Sequence, residues 1–172
     1  MFFFYIGIMT TYSGWISTYA VVMEVSEKEK ATSYASIFWT SSTFFRFLTI
    51  YLFSGTISHK WRRMLQISIV FMAISCFIIA IQVYEIGIIF CGIFYGGIIT
   101  SVIPFMFTLP SEFQMQIRMN QSSSIYVAGS MGEAFLSMVI GYLMAWISPN
   151  MLFFGLFLVT FAFYLIFEMT IN

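Results

Sequence analysis

The chain has 172 residues, of which 60% are hydrophobic, 21% aromatic and only 8% charged, and its mean hydropathy is +0.94. A soluble domain carries about 25% charged residues. Seven acids, seven bases and one His cannot cover the surface of such a domain, and exposed apolar area of that extent would associate. A net charge of +0 leaves no basic stripe to neutralise phosphates, so soluble enzymes and nucleic-acid-binding modules are excluded in favour of an integral membrane protein.

A bilayer core about 30 Å thick needs about 20 apolar residues of helix. Cutting the chain at its charge clusters and turn residues yields six such segments, each too long for a membrane strand and without strict polar/apolar alternation. The fold class read from this is all-α and polytopic, a single domain over residues 1–172. The first span runs from Phe2 to Met23 and holds Gly7, Thr11, Gly14 and Thr18, with Tyr5, Tyr12, Trp15 and Tyr19 at helical spacing. Tyr5 and Tyr19, near the ends, are expected in the interfacial aromatic belt. Tyr12 and Trp15, near mid-membrane, are candidates to stack on a sugar ring and hydrogen-bond its hydroxyls, or else pack in the bundle.

The charged stretch from Glu24 to Lys30 is expected as a loop, and the second span runs from Ser33 to Ile57 with Arg46 inside it. The third, from Leu65 to Tyr84, has no Gly or Pro and is expected to face lipid. Glu85 stands alone before the fourth, from Ile86 to Leu109, where Gly92 and Gly96 form a GxxxG pair and Gly96, Gly97 and Pro104 are the candidates for a cavity helix break. A polar link from Pro110 to Ser124 leads to the fifth, from Ile125 to Ile147, which contains Glu133. Ser148, Pro149 and Asn150 make a tight turn into the sixth, from Met151 to Phe167, whose polar side chains are almost confined to Thr160 and Tyr164. Cys76 and Cys91 lie in apolar runs without a CxxC pair, as small packing residues do.

An even number of spans places both termini on one side with Lys60, Arg62, Arg63 and Arg118, against Lys28 and Lys30 on the other. The excess predicts cytoplasmic termini, with the plasma membrane favoured over an organelle. In units of three spans, the first corresponds to the fourth and the third to the sixth. Such patterning belongs to transporters built from inverted three-helix repeats, in which Gly/Pro-interrupted segments point to the binding site; Gly and Pro are also common in membrane helices at large.

Of the charged residues, Arg46 and Glu133 alone lie well inside a span. A charge at the bilayer centre costs about 2.5 to 3.5 kcal/mol, so it is retained facing a partner or a wet cavity. Counted from the cytoplasmic ends at 1.5 Å per residue, Arg46 lies roughly 16 Å deep and Glu133 roughly 14 Å deep. Glu133 then titrates with a coupling proton or helps hold Na⁺, and Arg46 binds substrate or serves as counter-ion; the alternative is an ion pair that fixes helix register. Ser130 and Ser137 flank Glu133 on its own face and either join a polar site or solvate the acid.

No HExxH, GxSG or nucleotide-binding loop occurs, and the one His, His59, lies in the basic loop. Neither a metal centre nor a Ser/His dyad is therefore expected in the membrane, and no cofactor beyond a coupling ion. TVGYG filters and voltage-sensor Arg rows are absent as well. The expectation is a transporter driven by an ion gradient, not an enzyme; the alternative is a non-transporting membrane scaffold or complex subunit.

The stretch Gly55-Thr-Ile-Ser-His-Lys-Trp-Arg-Arg63 resembles the loop signature G-x-L-x-D-R-x-G-R-R of the major facilitator superfamily, with His59 at the Asp position and Arg62 at the second Gly position. YIGIMTTYSGWISTYAV (Tyr5 to Val21), SIFWTSSTFFRFLTI (Ser36 to Ile50), GGIITSVIPFMFTLPSE (Gly96 to Glu112) and AGSMGEAFLSMVIG (Ala128 to Gly141) are similar to the seventh, eighth, tenth and eleventh helices of its sodium-dependent glucose transporter-like and fucose-permease-like branch. Phe45 stands where a Gly usually precedes the eighth-helix Arg. The resemblance implies the C-terminal six-helix half of the fold, a sugar or hexose substrate carried by alternating access in symport with Na⁺ or H⁺, and a cytoplasmic gating loop of Gly55, His59, Lys60, Arg62 and Arg63. It also implies a partner: a missing N-terminal half, a second copy or another chain, besides the lipid bilayer. The start of the chain inside its first span, without a hydrophilic leader, is what a fragment of a longer transporter is expected to show.

Overall fold

A computed structural model describes residues 2–53, 70, 74, 85–93, 95–97 and 119–171. Among them there are helices and no strands: α1 (Phe2–Val22), α2 (Lys28–Phe53), α3 (Glu85–Gly97, described on both sides of position 94), α4 (Met119–Trp146) and α5 (Met151–Ile171). The expected third span is represented by helical Val70 and Ile74; the rest of it lies outside the described residues.

Helix ends differ from the expected spans where polar residues are locally good helix formers or caps. Lys28 to Lys30 begin α2 instead of lying in a loop, and Glu85 is the first residue of α3 instead of a break. Residues 119–124, expected in the polar link, form the first turns of α4. The α1–α2 connection contracts to residues 23–27. It is closed by a bond from the Val25 amide to the Ala20 carbonyl (3.0 Å) across Glu24, whose φ of 53° is left-handed. That is the six-to-one bond of a Schellman cap, here without the usual glycine. The turn at Ser148 to Asn150 forms as expected, with the Ser148 hydroxyl accepting from the Asn150 amide (3.3 Å) and the Met151 amide donating to the Ser148 carbonyl (3.0 Å).

Side-chain contacts fix the directions of the helices. Along α1 and α4 the partners rise together: Phe3 meets Phe135, Thr11 meets Ser137, Trp15 meets Gly141 and Tyr19 meets Asn150, so these two helices are parallel. Likewise α3 runs with α2, Tyr34 bonding Glu85, Ser41 bonding the Ile93 carbonyl and Gly97 lying on Phe45. The two tight connections turn α2 against α1 and α5 against α4. Phe53 and Glu85 therefore lie at opposite ends of the bundle, and positions 54–84 link those ends.

α1 is central, touching α2, α4 and α5, with its most extensive contact on α4, and meeting α3 through Tyr12 and Tyr95. Tyr5, Tyr12 and Tyr19 repeat every seven residues and are all buried, so Tyr5 and Tyr19 belong to the core and not to an interfacial belt. The Tyr12 ring lies 5.0 Å from both Phe38 and Tyr95, and Tyr19 packs edge-on against Phe153 at 4.9 Å while its hydroxyl donates to Asn150 Oδ1 (3.0 Å). Aromatic pairs at these separations add to area burial, and the seven-residue period keeps the three rings on one stripe of α1.

Among the described residues, Ser123–Trp146 is long and apolar enough to cross a membrane, while Glu85–Gly97 and Met151–Ile166 are shorter apolar helices. α1 and α2 have 21 and 26 residues, a spanning length, but Thr, Ser and Tyr dilute their apolarity. One face of α4 presents Met131, Met138 and Tyr142 outward, and α5 presents Phe154, Leu158, Phe161 and Leu165.

The α1–α4 contact depends on absent side chains. A Cβ on Gly132 would strike the Phe3 backbone, and one on Gly7 would meet the Gly132 carbonyl oxygen at 2.6 Å, so each helix must present hydrogen to the other. Gly14, in contrast, has nothing within 4 Å of such a Cβ. Gly132→Ala is expected to cost about 1–3 kcal/mol through overpacking, and Gly14→Ala to be neutral or to gain up to about 1 kcal/mol of helix propensity. Thermal unfolding of the two variants in detergent measures this, and equal losses would contradict the packing described.

Candidate functional site

Residues of α1 opposite its tyrosine stripe form a polar face: Thr10, Ser13, Gly14, Ser17 and Thr18, of which Gly14 and Thr18 are exposed. Their spacing of three and four follows one side of a helix. This face runs between α2 and α4. Next to the 23–27 connection it opens into two crevices: one with α2, lined by Ser17, Thr18, Lys28 and Thr32, and one with α4, lined by Trp15, Thr18, Gly141 and Met144. Thr18 belongs to both.

Two hydroxyls on this face, Thr10 and Ser13, and one across the crevice, Thr32, are held by their own helices. Thr10 Oγ1 donates to the Ile6 carbonyl (2.9 Å) and Ser13 Oγ to the Thr10 carbonyl (3.3 Å); across the crevice Thr32 Oγ1 donates to the Glu29 carbonyl (2.8 Å). Each oxygen keeps its acceptor capacity for an incoming donor. Hydrogen-bond exchange with a polyhydroxylated ligand is the chemistry such a face offers. Among the described residues no cluster of His, Cys, Asp and Glu is placed to hold a metal ion.

The sequence candidates separate into two groups. Tyr12 is fully buried among Phe38, Tyr95 and Phe153, at the centre of the packed side rather than on the open face. Trp15 lies at the rim of the α4 crevice, its indole Nε1 donating to the Ser137 carbonyl (3.1 Å). Ser137 also exchanges a hydrogen bond with Thr11 (3.1 Å), which ties it to the α1–α4 interface, whereas Ser130 and Glu133 are exposed on α4. Gly96 and Gly97 are helical and buried, Gly96 on the Phe38 carbonyl and Gly97 on the Phe45 ring, so at these two positions they bring α3 close to α2 without a break. Pro104, Gly55, His59, Lys60, Arg62 and Arg63 lie outside the described residues.

Arg46 and Glu133 do share a level in the bundle. Arg46 stands opposite Tyr5, as counted from the Tyr12–Phe38 contact, and Glu133 follows Gly132, which lies on Phe3. No ion pair joins them: Arg46 is half-buried with a buried Nε that has no hydrogen-bond partner, and Glu133 is exposed. Sequence reading missed Ser42, one turn before Arg46 on the same face of α2 and fully buried, because a serine among five hydroxyl residues near it carries no individual signal. It missed Tyr5 as a core polar group for a similar reason, its place near a helix end suiting an interface equally well.

Comparison with family models, curated proteins and solved structures finds no match to this chain.

The Thr11–Ser137 bond is one shared interaction. Thr11→Val and Ser137→Ala are each expected to cost about 0.6–1 kcal/mol, and the double variant to cost less than their sum. Chemical denaturation in mixed micelles reads the cycle, and strict additivity would contradict the bond.

Proposed function

We propose that this chain is a six-helix half of a membrane transporter resembling the major facilitator superfamily, made of two inverted three-helix repeats. It carries a sugar in symport with Na⁺ or H⁺ and catalyses no covalent reaction. The observation that carries the reading is the alternation of direction. α1 and α4 point one way and α2, α3 and α5 the other, as a chain crossing a bilayer six times requires of its first, second, fourth, fifth and sixth spans. A second support is the polar face of α1, open between α2 and α4 and lined with hydroxyls, against which the other half would close around substrate. The partner is an N-terminal half, a second copy or another chain, and both termini lie in the cytoplasm of a plasma membrane.

In this reading Trp15 and Thr18 contact the sugar at the mouth of the cavity, and Tyr12 acts from behind by fixing α1 against Phe38 and Tyr95. Glu133, the exposed acid midway along α4, takes the coupling ion. Neutralising it uncouples the gradient without closing the path. Glu133→Gln is expected to reduce gradient-driven accumulation of labelled sugar in vesicles to the level of passive equilibration while exchange across the membrane continues. Undiminished accumulation would sink the coupling role, and no sugar flux in the wild type would sink the transport reading itself.

A further inference from the structure

Three polar groups are buried together without partners where α1 faces the second half of α2: the Tyr5 hydroxyl, the Ser42 hydroxyl and the Arg46 Nε. Tyr5 and Ser42 are each 1% exposed. Their levels follow from the Tyr12–Phe38 ring contact between antiparallel helices: Tyr5 lies seven residues before Tyr12, about 10.5 Å along α1, and Arg46 eight residues after Phe38, about 12 Å along α2. Ser42 and Arg46, four apart, share one face of α2. The guanidinium is also near enough to act electrostatically on the Tyr5 hydroxyl.

An arrangement of this kind is costly. A buried hydroxyl or guanidinium N–H without a hydrogen bond costs about 1–3 kcal/mol. Among the described carboxylates, Glu24, Glu27, Glu29 and Glu85 lie at the other end of the bundle, where Glu85 accepts from Tyr34; Glu168 interacts with Tyr164 on its own helix, and Glu133 is exposed on α4. All three orphan groups are able to donate, one of them carries a positive charge, and a guanidinium fork matches the two oxygens of a planar anion.

We propose that Tyr5, Ser42 and Arg46 form a carboxylate-binding site, and that the ligand the protein carries is a sugar acid of the hexuronate class. This rests on the transport reading for the sugar and on the three buried donors for the carboxylate. Arg46 pairs with the carboxylate through its guanidinium edge, and Ser42 and Tyr5 donate to the remaining lone pairs.

Equilibrium binding of radiolabelled glucuronate to the protein in lipid nanodiscs tests the site, with glucose and acetate as competitors and flux measured in vesicles of the same protein. Glucuronate is expected to bind saturably, acetate to compete, and glucose to compete at least about tenfold more weakly. Ser42→Ala and Tyr5→Phe are each expected to weaken glucuronate about fivefold, and Arg46→Gln about fiftyfold or more, with Arg46→Lys between them. In the absence of ligand Arg46→Gln is expected to leave the thermal midpoint unchanged or raised, which separates a binding role from a structural one. Glucose competing as well as glucuronate, unaltered affinity in Arg46→Gln, or no glucuronate binding would each overturn the site. Arg46-dependent binding without flux would uphold the site and overturn the transport reading.

Discussion

The parallel contact between α1 and α4 is the constraint on which the remaining structure depends. It is made by Gly7 and Gly132, which let the two backbones approach, and is locked by the Thr11–Ser137 bond and the Trp15 indole on the Ser137 carbonyl. In the membrane bundle proposed above, lipid supplies no hydrophobic drive between helices, and association there rests on such close packing and interhelical hydrogen bonds. Parallel helices cannot be joined by a short turn. The chain must therefore cross the bundle an odd number of times between α1 and α4, and the parallel pairing of α2 with α3 divides those crossings.

From that contact follows a two-sided α1. Its tyrosine stripe lies against α2, α3 and α5 and fills the centre with rings, while its Thr and Ser side stays open between α2 and α4. On the open side Thr10 and Ser13 bond back to their own helix, at i−4 and i−3, and so strand no donor. Away from the open side, the Tyr5 and Ser42 hydroxyls and the Arg46 Nε are buried without a hydrogen-bond partner. The packed side of α1 thus carries the core, and of the orphan donors Tyr5 lies on that side while Ser42 and Arg46 belong to α2.

Local chemistry was legible in the amino-acid sequence and partnership was not. The Ser148-Pro149-Asn150 turn, the helical character of the apolar runs and the common level of Arg46 and Glu133 could be read by composition and counting, because each depends on neighbours in sequence or on the rise per residue. The sides to which residues point could not. Tyr19 resembles an interfacial tyrosine until Asn150, distant in the chain, supplies its acceptor. Tyr12 looks like a ligand platform until Phe38 and Tyr95 cover it. Glu85 and Lys28 suit a loop as well as a helix end in sequence, whereas in the structure the helices continue through them with charged side chains in their outer turns.

Sidedness is the most direct test of a six-span bundle. The 23–27 connection, Glu85 and the 147–150 turn lie at one end, joined by the Tyr19–Asn150 and Tyr34–Glu85 bonds. Single cysteines placed at Glu27, Asn150 and His59 can be labelled in intact cells with a membrane-impermeant maleimide. The account predicts labelling at Glu27 and Asn150 from outside, and at His59 only after permeabilisation. Labelling of Glu27 and Asn150 from opposite sides, or of all three from the same side, would contradict it.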